Sequence, residues 1–147
     1  MKIDKVNIRI IKELREGRKS FKAISELLNI TENTVRARVN RMTDEGILDI
    51  CGRIDPSAIP GHNTVIIGIK LKEMDLVKKG EEISNLRGVI SVSVVTGRYD
   101  LMVHVLLKPG FGLLEFYTDE ISTVEGVGSV ETFVVYKSFN MKVPYVL

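Results

Sequence analysis

The side chains best suited to chemistry lie on one face of a basic segment, Thr31 to Gly46. At about 100° per residue, a helix here turns Val35, Val39 and Met42 inward and its Asn and Arg side chains outward. Asn and Arg can make paired hydrogen bonds to base edges in the DNA major groove, although an ordinary solvated helix face has a similar composition. Arg38 lies nearest the core side and could reach a phosphate. The candidate DNA-contacting residues are Ser20, Thr31, Asn33, Thr34, Arg36, Ala37, Arg38, Asn40 and Arg41.

A short helix is predicted immediately before this segment. Ser20 is a suitable N-cap, and apolar residues follow at i, i+3 and i+4 spacing. Asn29 tolerates the left-handed conformation found at helix ends, and Thr31 can cap the next helix. A short helix, a tight turn and a second helix form a helix-turn-helix, the arrangement that presents its second helix to double-stranded DNA.

The N-terminal residues complete a three-helix unit. Asp4 or Asn7 can cap a first helix whose apolar stripe ends near Gly17. After Gly46, the sequence ILDICGRI (residues 47–54) is typical of a strand and predicts a wing or a connector.

From Thr64 onward the pattern predicts the order β-α-β-β-α-β. Strands are expected over 65–71, 89–95, 101–107 and 130–137, with one helix from Asp75 and another around 113–121. The motifs GVISV and GVGSV each follow a helix and open a strand, which favours a ferredoxin-like domain and an α+β protein overall. One face of such a sheet carries no helices, and a second subunit is its simplest cover.

A second candidate for chemistry is the turn TGRYD, residues 96–100. Gly97 can supply a positive φ, and the loop amides with the Thr96 hydroxyl could receive a carboxylate. Asp100 could receive an ammonium group. Alternatively, this is a hairpin turn that needs Gly and Asp for its geometry alone.

Composition sets limits on the class of protein. The chain has 147 residues, a net charge of +2, one cysteine and no apolar run long enough for a membrane span. We therefore expect a cytoplasmic protein without disulfides. No metal, cofactor or nucleophile motif is present in the sequence, so we expect no enzyme. The predicted domains are a winged helix-turn-helix over 1–54, a linker over 55–62, and a ferredoxin-like, ligand-binding and oligomerisation domain over 63–147.

Five stretches of the sequence together form a recognisable pattern: EGRKS (16–20), NITENTVRARVNRMTDEGIL (29–48), RIDP (53–56), LRGVISVSVVTGRYDL (86–101) and VEGVGSVETFVVYK (124–137). Through them the chain resembles the leucine-responsive regulatory protein/AsnC family of transcription regulators. The matching stretches cover nearly the whole chain in the family's order. Asn7, Ser25 and Asn29 depart from the usual Asp, Ala and Gly.

The resemblance implies homodimers that assemble into tetramers or octamers, with an amino-acid effector bound where dimers meet. It also implies that the loop after the second helix of the C-terminal domain lies near the 96–100 turn. The effector-binding residues are then expected to be Thr96, Gly97, Arg98, Tyr99, Asp100, Glu125, Gly126 and Gly128.

Two other functions remain open at the level of sequence. Siroheme decarboxylases resemble the same family over both domains, and such an enzyme would require His62, His104 and Arg98 to converge on a tetrapyrrole pocket. The second alternative is an effector-sensing assembly with weak DNA binding, which the Asn and Arg residues of the outer helix face disfavour.

Overall fold

The computed structural model describes residues 2–147. The chain forms two compact units, Met1–Cys51 and Gly52–Leu147. The first unit contains α1 (Lys5–Leu14), α2 (Phe21–Leu28) and α3 (Glu32–Asp44). The inward stripes of the three helices form its core, because apolar residues at helical spacing can be buried only against one another. The buried apolar residues of this core are Ile10, Ile24, Leu28, Val35, Val39 and Met42.

Each helix of this unit begins at a polar cap. The side chains of Asp4, Ser20 and Thr31 accept hydrogen bonds from backbone amides three residues later, at 2.8, 3.1 and 3.1 Å. Each bond satisfies one of the amides that a helix start leaves unpaired. Asn29 adopts a φ of 53°, and this left-handed residue turns the chain from α2 into α3. The predicted helix-turn-helix is therefore confirmed.

The predicted strand over 47–54 is wrong for most of its length. Only Arg53–Ile54 forms a strand, β1, and it pairs with β6 (Val143–Pro144) inside the second unit. Residues 47–52 have no strand partner in the described chain, and Ile47 and Ile50 are exposed. The residues interpreted as a linker, 55–62, also lie in the second unit and include a 3₁₀ turn, Pro56–Ala58.

The second unit has the predicted β-α-β-β-α-β order. Its elements are β2 (Asn63–Leu71), α4 (Leu76–Ser84), β3 (Val89–Val94), β4 (Leu101–Leu107), a composite helix and β5 (Val127–Val134). The sheet order is β3-β4-β2-β5 and all its pairings are antiparallel. This is the ferredoxin-like arrangement. The last strand of the sheet begins three residues before its predicted start.

The composite helix changes its winding along its length. An α-helical turn, Leu113–Glu115 (α5), leads into a π-helical segment, Phe116–Glu120, and a final 3₁₀ turn, Ile121–Thr123. A π-helical turn aligns residues five apart, so Phe116 and Ile121 both reach the core, where they are 0% and 6% exposed. The predicted apolar stripe is correct, but the helix is irregular.

The two faces of the sheet have different surroundings. Alternate residues such as Val65, Ile67 and Val103 are buried against the helices. The opposite residues, among them Ile66, Met102 and His104, lie on a face that no helix of the described chain covers, and they are only partly buried. We call this surface the open face. None of the helices in residues 2–147 has both the length and the apolarity to cross a bilayer.

Candidate nucleic-acid interface and ligand turn

The outer face of α3 forms one side of a shallow groove in the first unit. Five of the nine candidate DNA-contacting residues line it, and the start of α1 supplies the other side through Lys2, Asp4 and Asn7. The side-chain amides of Asn33 and Asn40 make no hydrogen bond with any residue in 2–147, so both remain available to a base edge. The five candidate residues in the groove are Asn33, Thr34, Ala37, Arg38 and Arg41.

Two exposed arginines make only surface contacts, and Arg36 also lies over the Phe21 ring of α2, 5.4 Å from its centre. Arg36 Nη2 lies 2.7 Å from Glu32 Oε1, and Arg41 Nε lies 3.0 Å from Glu45 Oε1. Their side chains are 54% and 64% exposed. Exposed i, i+4 pairs contribute only about 0.3–0.5 kcal/mol, so a DNA phosphate or base can replace either carboxylate at little cost.

The hydroxyl groups predicted to touch DNA also shape the helix starts. Ser20 and Thr31 accept the capping amides described above, and Thr31 Oγ1 lies 2.8 Å from Thr34 Oγ1. All three residues are exposed. A hydroxyl that accepts a capping bond still carries its own donor, which can reach a phosphate oxygen.

Arg38 connects α3 to α1. Its Nη1 donates to Asp4 Oδ2 at 2.7 Å and to Asn7 Oδ1 at 2.8 Å. Asn7 is 2% exposed, so the guanidinium satisfies a buried acceptor. The pKa of Asp4 is held below its usual value by the Asn7 amide and by Arg38. Arg38 thus stabilises the unit whether or not it also contacts a phosphate.

Arg38→Ala is expected to destabilise the first unit by about 1–3 kcal/mol, because the side-chain oxygen of Asn7, Oδ1, would be buried without its donor. Chemical denaturation followed by circular dichroism measures the effect. Arg36→Ala is the matched control, since it removes an exposed ion pair and a contact with the Phe21 ring but leaves no buried polar atom without its partner. Equal stabilities of the two variants would contradict a structural role for Arg38.

The two predicted effector segments flank the end of β2, one on each side of the strand. The Asp100 amide donates to the Ile69 carbonyl oxygen at 2.9 Å, on one side of the strand. On the other side, the Lys72 amide donates to the Gly126 carbonyl oxygen at 2.8 Å. A Cβ atom on Gly128 would lie 2.9 Å from the Lys70 carbonyl oxygen, so this position needs glycine.

Asp100 is engaged within the chain by both carboxylate oxygens. Oδ1 accepts from Lys70 Nζ and Oδ2 accepts from the Leu71 amide, each at 2.8 Å. The side chain is 13% exposed. These bonds, that from Lys70 above all, hold the pKa of Asp100 below its usual value. A ligand ammonium group at Asp100 would have to displace Lys70, so the geometry favours the simpler interpretation of Asp100 as a turn residue.

The outer part of the turn presents unpaired backbone donors. The Val95 amide donates to the Asp100 carbonyl oxygen at 2.9 Å and closes the turn. The amides of Thr96, Gly97, Arg98 and Tyr99 make no hydrogen bond with any residue in 2–147. Successive unpaired amides in a turn form a concave site that suits an anion.

A polar cleft beside Gly126 was not anticipated from the sequence. It contains acidic and basic side chains from the start of α4 and the loop before it, together with Glu125. No sequence motif marks these residues, because the fold alone brings 73–79 next to 125–126. The lining residues are Glu73, Asp75, Lys78, Lys79, Glu125 and Gly126.

Lowering the pH should weaken the second unit through Asp100. Its folded pKa lies below the unfolded value of about 3.9, so its contribution to stability is present above that value and is lost as the pH falls through the folded pKa. Asp100→Asn should lower the urea midpoint of unfolding at neutral pH. The difference in midpoint between this variant and wild type should become smaller in acid. Asp75→Asn is the control, because Asp75 Oδ2 lies as far as 3.9 Å from Lys78 Nζ. A pH-independent difference would contradict the assignment.

The residues that a tetrapyrrole enzyme would need do not converge within the chain. His62 lies within hydrogen-bonding distance of the Pro60 carbonyl oxygen and the Tyr145 hydroxyl. Arg98 contacts Glu131, and Glu131 pairs with Gly68. Gly68 follows His62 by six residues, which is about 20 Å along an extended strand. His104 lies between these levels on the open face, where burial lowers its pKa. No group of His, Cys, Asp and Glu within 2–147 could hold a metal ion.

A three-helix unit whose groove carries Asn and Arg side chains, followed by a ferredoxin-like unit, is the domain arrangement of a class of DNA-binding regulators. Comparison with family models agrees with this class. Residues 3–49 match the winged helix-turn-helix DNA-binding model, and residues 64–144 match the Lrp/AsnC ligand binding domain. The chain belongs to the Lrp/AsnC family of transcription regulators.

Individual relatives share the same domain organisation. An uncharacterized HTH-type transcriptional regulator of Pyrococcus abyssi is 30% identical over 134 residues, which cover 90% of this chain and 84% of the relative. The HTH-type transcriptional regulator Ptr1 of Methanocaldococcus jannaschii is 27% identical over 139 residues, 93% and 94% of the two chains.

Solved structures show the same fold. E. coli AsnC superposes with a TM-score of 0.68 at 24% identity, over 96% of this chain and 97% of AsnC. The transcriptional regulator NMB0573 of Neisseria meningitidis, solved as a complex with L-Met, gives a TM-score of 0.69 at 20% identity, over 99% and 96% of the two chains.

Proposed function

We propose that this protein is a sequence-specific transcription regulator whose assembly and DNA affinity respond to a small effector, an amino acid or a closely related zwitterion. The observation that carries the DNA-binding role is the groove on α3, where exposed Asn and Arg side chains stand beside Ala37. Asn and Arg are the side chains that read base edges, and the small Ala37 lets the helix backbone approach the floor of the DNA major groove.

The effector proposal is supported by the chemistry of residues 96–100, which we call the ligand turn. The unpaired amides of 96–99 offer donors to a carboxylate, and Glu125 on the neighbouring loop is an exposed acceptor for an ammonium group. Asp100 anchors the turn beneath them. The L-Met complex of the Neisseria relative supports an amino acid as the chemical class.

The assembly proposal is supported by the open face. Ile66 and Met102 lie there with the half-exposed ring of Phe133, and soluble proteins seldom leave such a surface in contact with water. A second copy would cover it in an isologous dimer, and dimers could join into tetramers or octamers. A ligand that binds one assembly better than another shifts the equilibrium only by that difference in affinity.

The experiment combines three measurements on the full-length protein. Light scattering at micromolar concentration gives the assembly state, fluorescence anisotropy gives affinity for a duplex that the protein selects from random-sequence DNA, and thermal shift screens the common amino acids. We expect at least a dimer, a selected site with two-fold symmetry, and an amino acid that changes assembly and DNA affinity together. A monomer without DNA sequence preference would contradict the proposal. Assembly without sequence preference would favour an effector-sensing assembly instead.

A further inference from the structure

A glycine in the middle of β2 makes room for one side chain of the ligand turn. A Cβ atom on Gly68 would lie 2.7 Å from the Tyr99 ring, closer than real Cβ contacts allow. Glycine weakens a strand interior and often marks a close approach by another group. The Tyr99 ring therefore lies directly on the β2 backbone, on the open face.

The neighbouring strand completes a socket for this ring. Glu131 on β5 is the register partner of Gly68, and its carboxylate accepts a hydrogen bond from the Tyr99 hydroxyl. Phe133, two residues further along β5, meets the Tyr99 ring edge-on, with centroids 5.9 Å apart and an interplanar angle of 81°. Three contacts fix the position of Tyr99. Its ring lies on the Gly68 backbone, its hydroxyl donates to the Glu131 carboxylate, and its ring packs edge-on with the Phe133 ring.

Glu131 also contacts Arg98, the residue next to Tyr99. Arg98 Nη2 lies 3.1 Å from Glu131 Oε2, and its guanidinium lies 5.5 Å from the centre of the Tyr99 ring. One carboxylate thus receives donors from two consecutive residues of the ligand turn. It is 42% exposed, whereas the Arg98 side chain is 78% exposed.

We infer that Glu131 is a positioning residue for effector recognition, acting through Tyr99 and Arg98. Asp100 holds the inner end of the turn, and Glu131 holds its outer half through these two residues. The backbone between them keeps its unpaired amides, which can donate to a carboxylate. The inference rests on the proposed effector function and adds the residue that organises its site.

The first test needs no ligand. Amide hydrogen exchange, measured by NMR on the full-length protein, follows the protected amides of Val95 and Asp100, which close the turn. In Glu131→Ala these two amides should exchange roughly tenfold faster, while the amide of Val103 in the sheet should be unchanged. Tyr99→Phe, which loses the hydroxyl but keeps the ring, and Glu131→Gln, which keeps an acceptor, should give smaller increases.

Matched controls separate this role from general stability. Glu81→Ala removes an exposed glutamate on α4 whose carboxylate makes no contact with any residue in 2–147, and it should leave all three amides unchanged. Equal exchange in Glu131→Ala and wild type would overturn the inference. So would a uniform increase that includes Val103, because Glu131 would then be an ordinary structural residue.

The second test uses the common amino acids at millimolar concentration as probes, by calorimetry. For an amino acid that binds wild type, Glu131→Ala should weaken binding by roughly tenfold, and Glu131→Gln should restore part of the affinity. Tighter binding in Glu131→Gln would overturn the inference, because Glu131 would then compete with the ligand. If the exchange results agree and no amino acid binds wild type, the positioning role of Glu131 stands and the proposed effector class is wrong.

Discussion

Replacement of both Arg36 and Arg41 by alanine is expected to abolish most sequence-specific DNA binding while the protein stays folded. Each arginine that reads a guanine contributes about 1–3 kcal/mol of discrimination, or roughly 5-fold to 150-fold in affinity. Both side chains are exposed. Arg36 contacts Glu32 and the Phe21 ring and Arg41 contacts Glu45, so removal of the two arginines leaves no buried polar group unsatisfied. Fluorescence anisotropy with a selected duplex measures the loss.

The salt dependence of binding distinguishes the two kinds of contact. If an arginine contacts a phosphate, its loss should reduce the slope of log affinity against log salt concentration by about 0.9. Arg9→Ala, an exposed arginine on α1 outside the groove, is the matched control and should bind nearly as well as wild type. Wild-type affinity in the double variant would rule out this face of α3 as the DNA-reading surface.

Gly88→Ala should cause a large loss of stability in the second unit. Gly88 has a φ of 81°, which costs an L-residue about 1–2 kcal/mol. The added Cβ would also lie 2.7 Å from the Phe111 ring and 2.8 Å from the Leu106 carbonyl oxygen, and overpacking of this kind costs a further 1–3 kcal/mol or so. We expect a total of roughly 2–5 kcal/mol, with a fall in Tm of about 10 °C or more.

Gly110→Ala separates the two contributions to this loss. Gly110 has a similar φ of 75°, but a Cβ there would meet no atom within 4 Å. It should therefore lose only the 1–2 kcal/mol or so of backbone strain. Calorimetry on both variants tests the difference, and equal Tm values would show that the space around Gly88 can open without cost.

Local signals in the sequence predicted the elements that depend on neighbouring residues. The caps at Ser20 and Thr31 and the left-handed Asn29 act over three residues or fewer, and each was predicted from the sequence. Strand β4, Leu101–Leu107, also begins and ends at its predicted residues, because its apolar run is bounded by a turn and by Pro109.

Features that depend on distant partners were not predicted. The strand Arg53–Ile54 is paired by residues about 90 positions later, and no hairpin signal links the two segments. The contacts of the 96–100 turn also depend on residues that are distant in the sequence. The sequence does not reveal that Lys70 and the Leu71 amide, 30 and 29 residues away, engage both carboxylate oxygens of Asp100. The irregular winding around Phe116 depends on the core that it fills, which a helical pattern does not reveal.

The pairing of β1 with β6 has a consequence for how such proteins can diversify. The boundary between the two units, at Cys51 and Gly52, falls just before β1, so it interrupts no strand pairing. A gene fusion at this point would give the second unit a different DNA-reading head while keeping the strand that pairs with the buried Val143. A fusion at Gly61 would remove that strand. Recombination between relatives is therefore expected to succeed at residue 52 and to fail once the crossover passes β1, so the two units can be exchanged as separate modules only at this boundary.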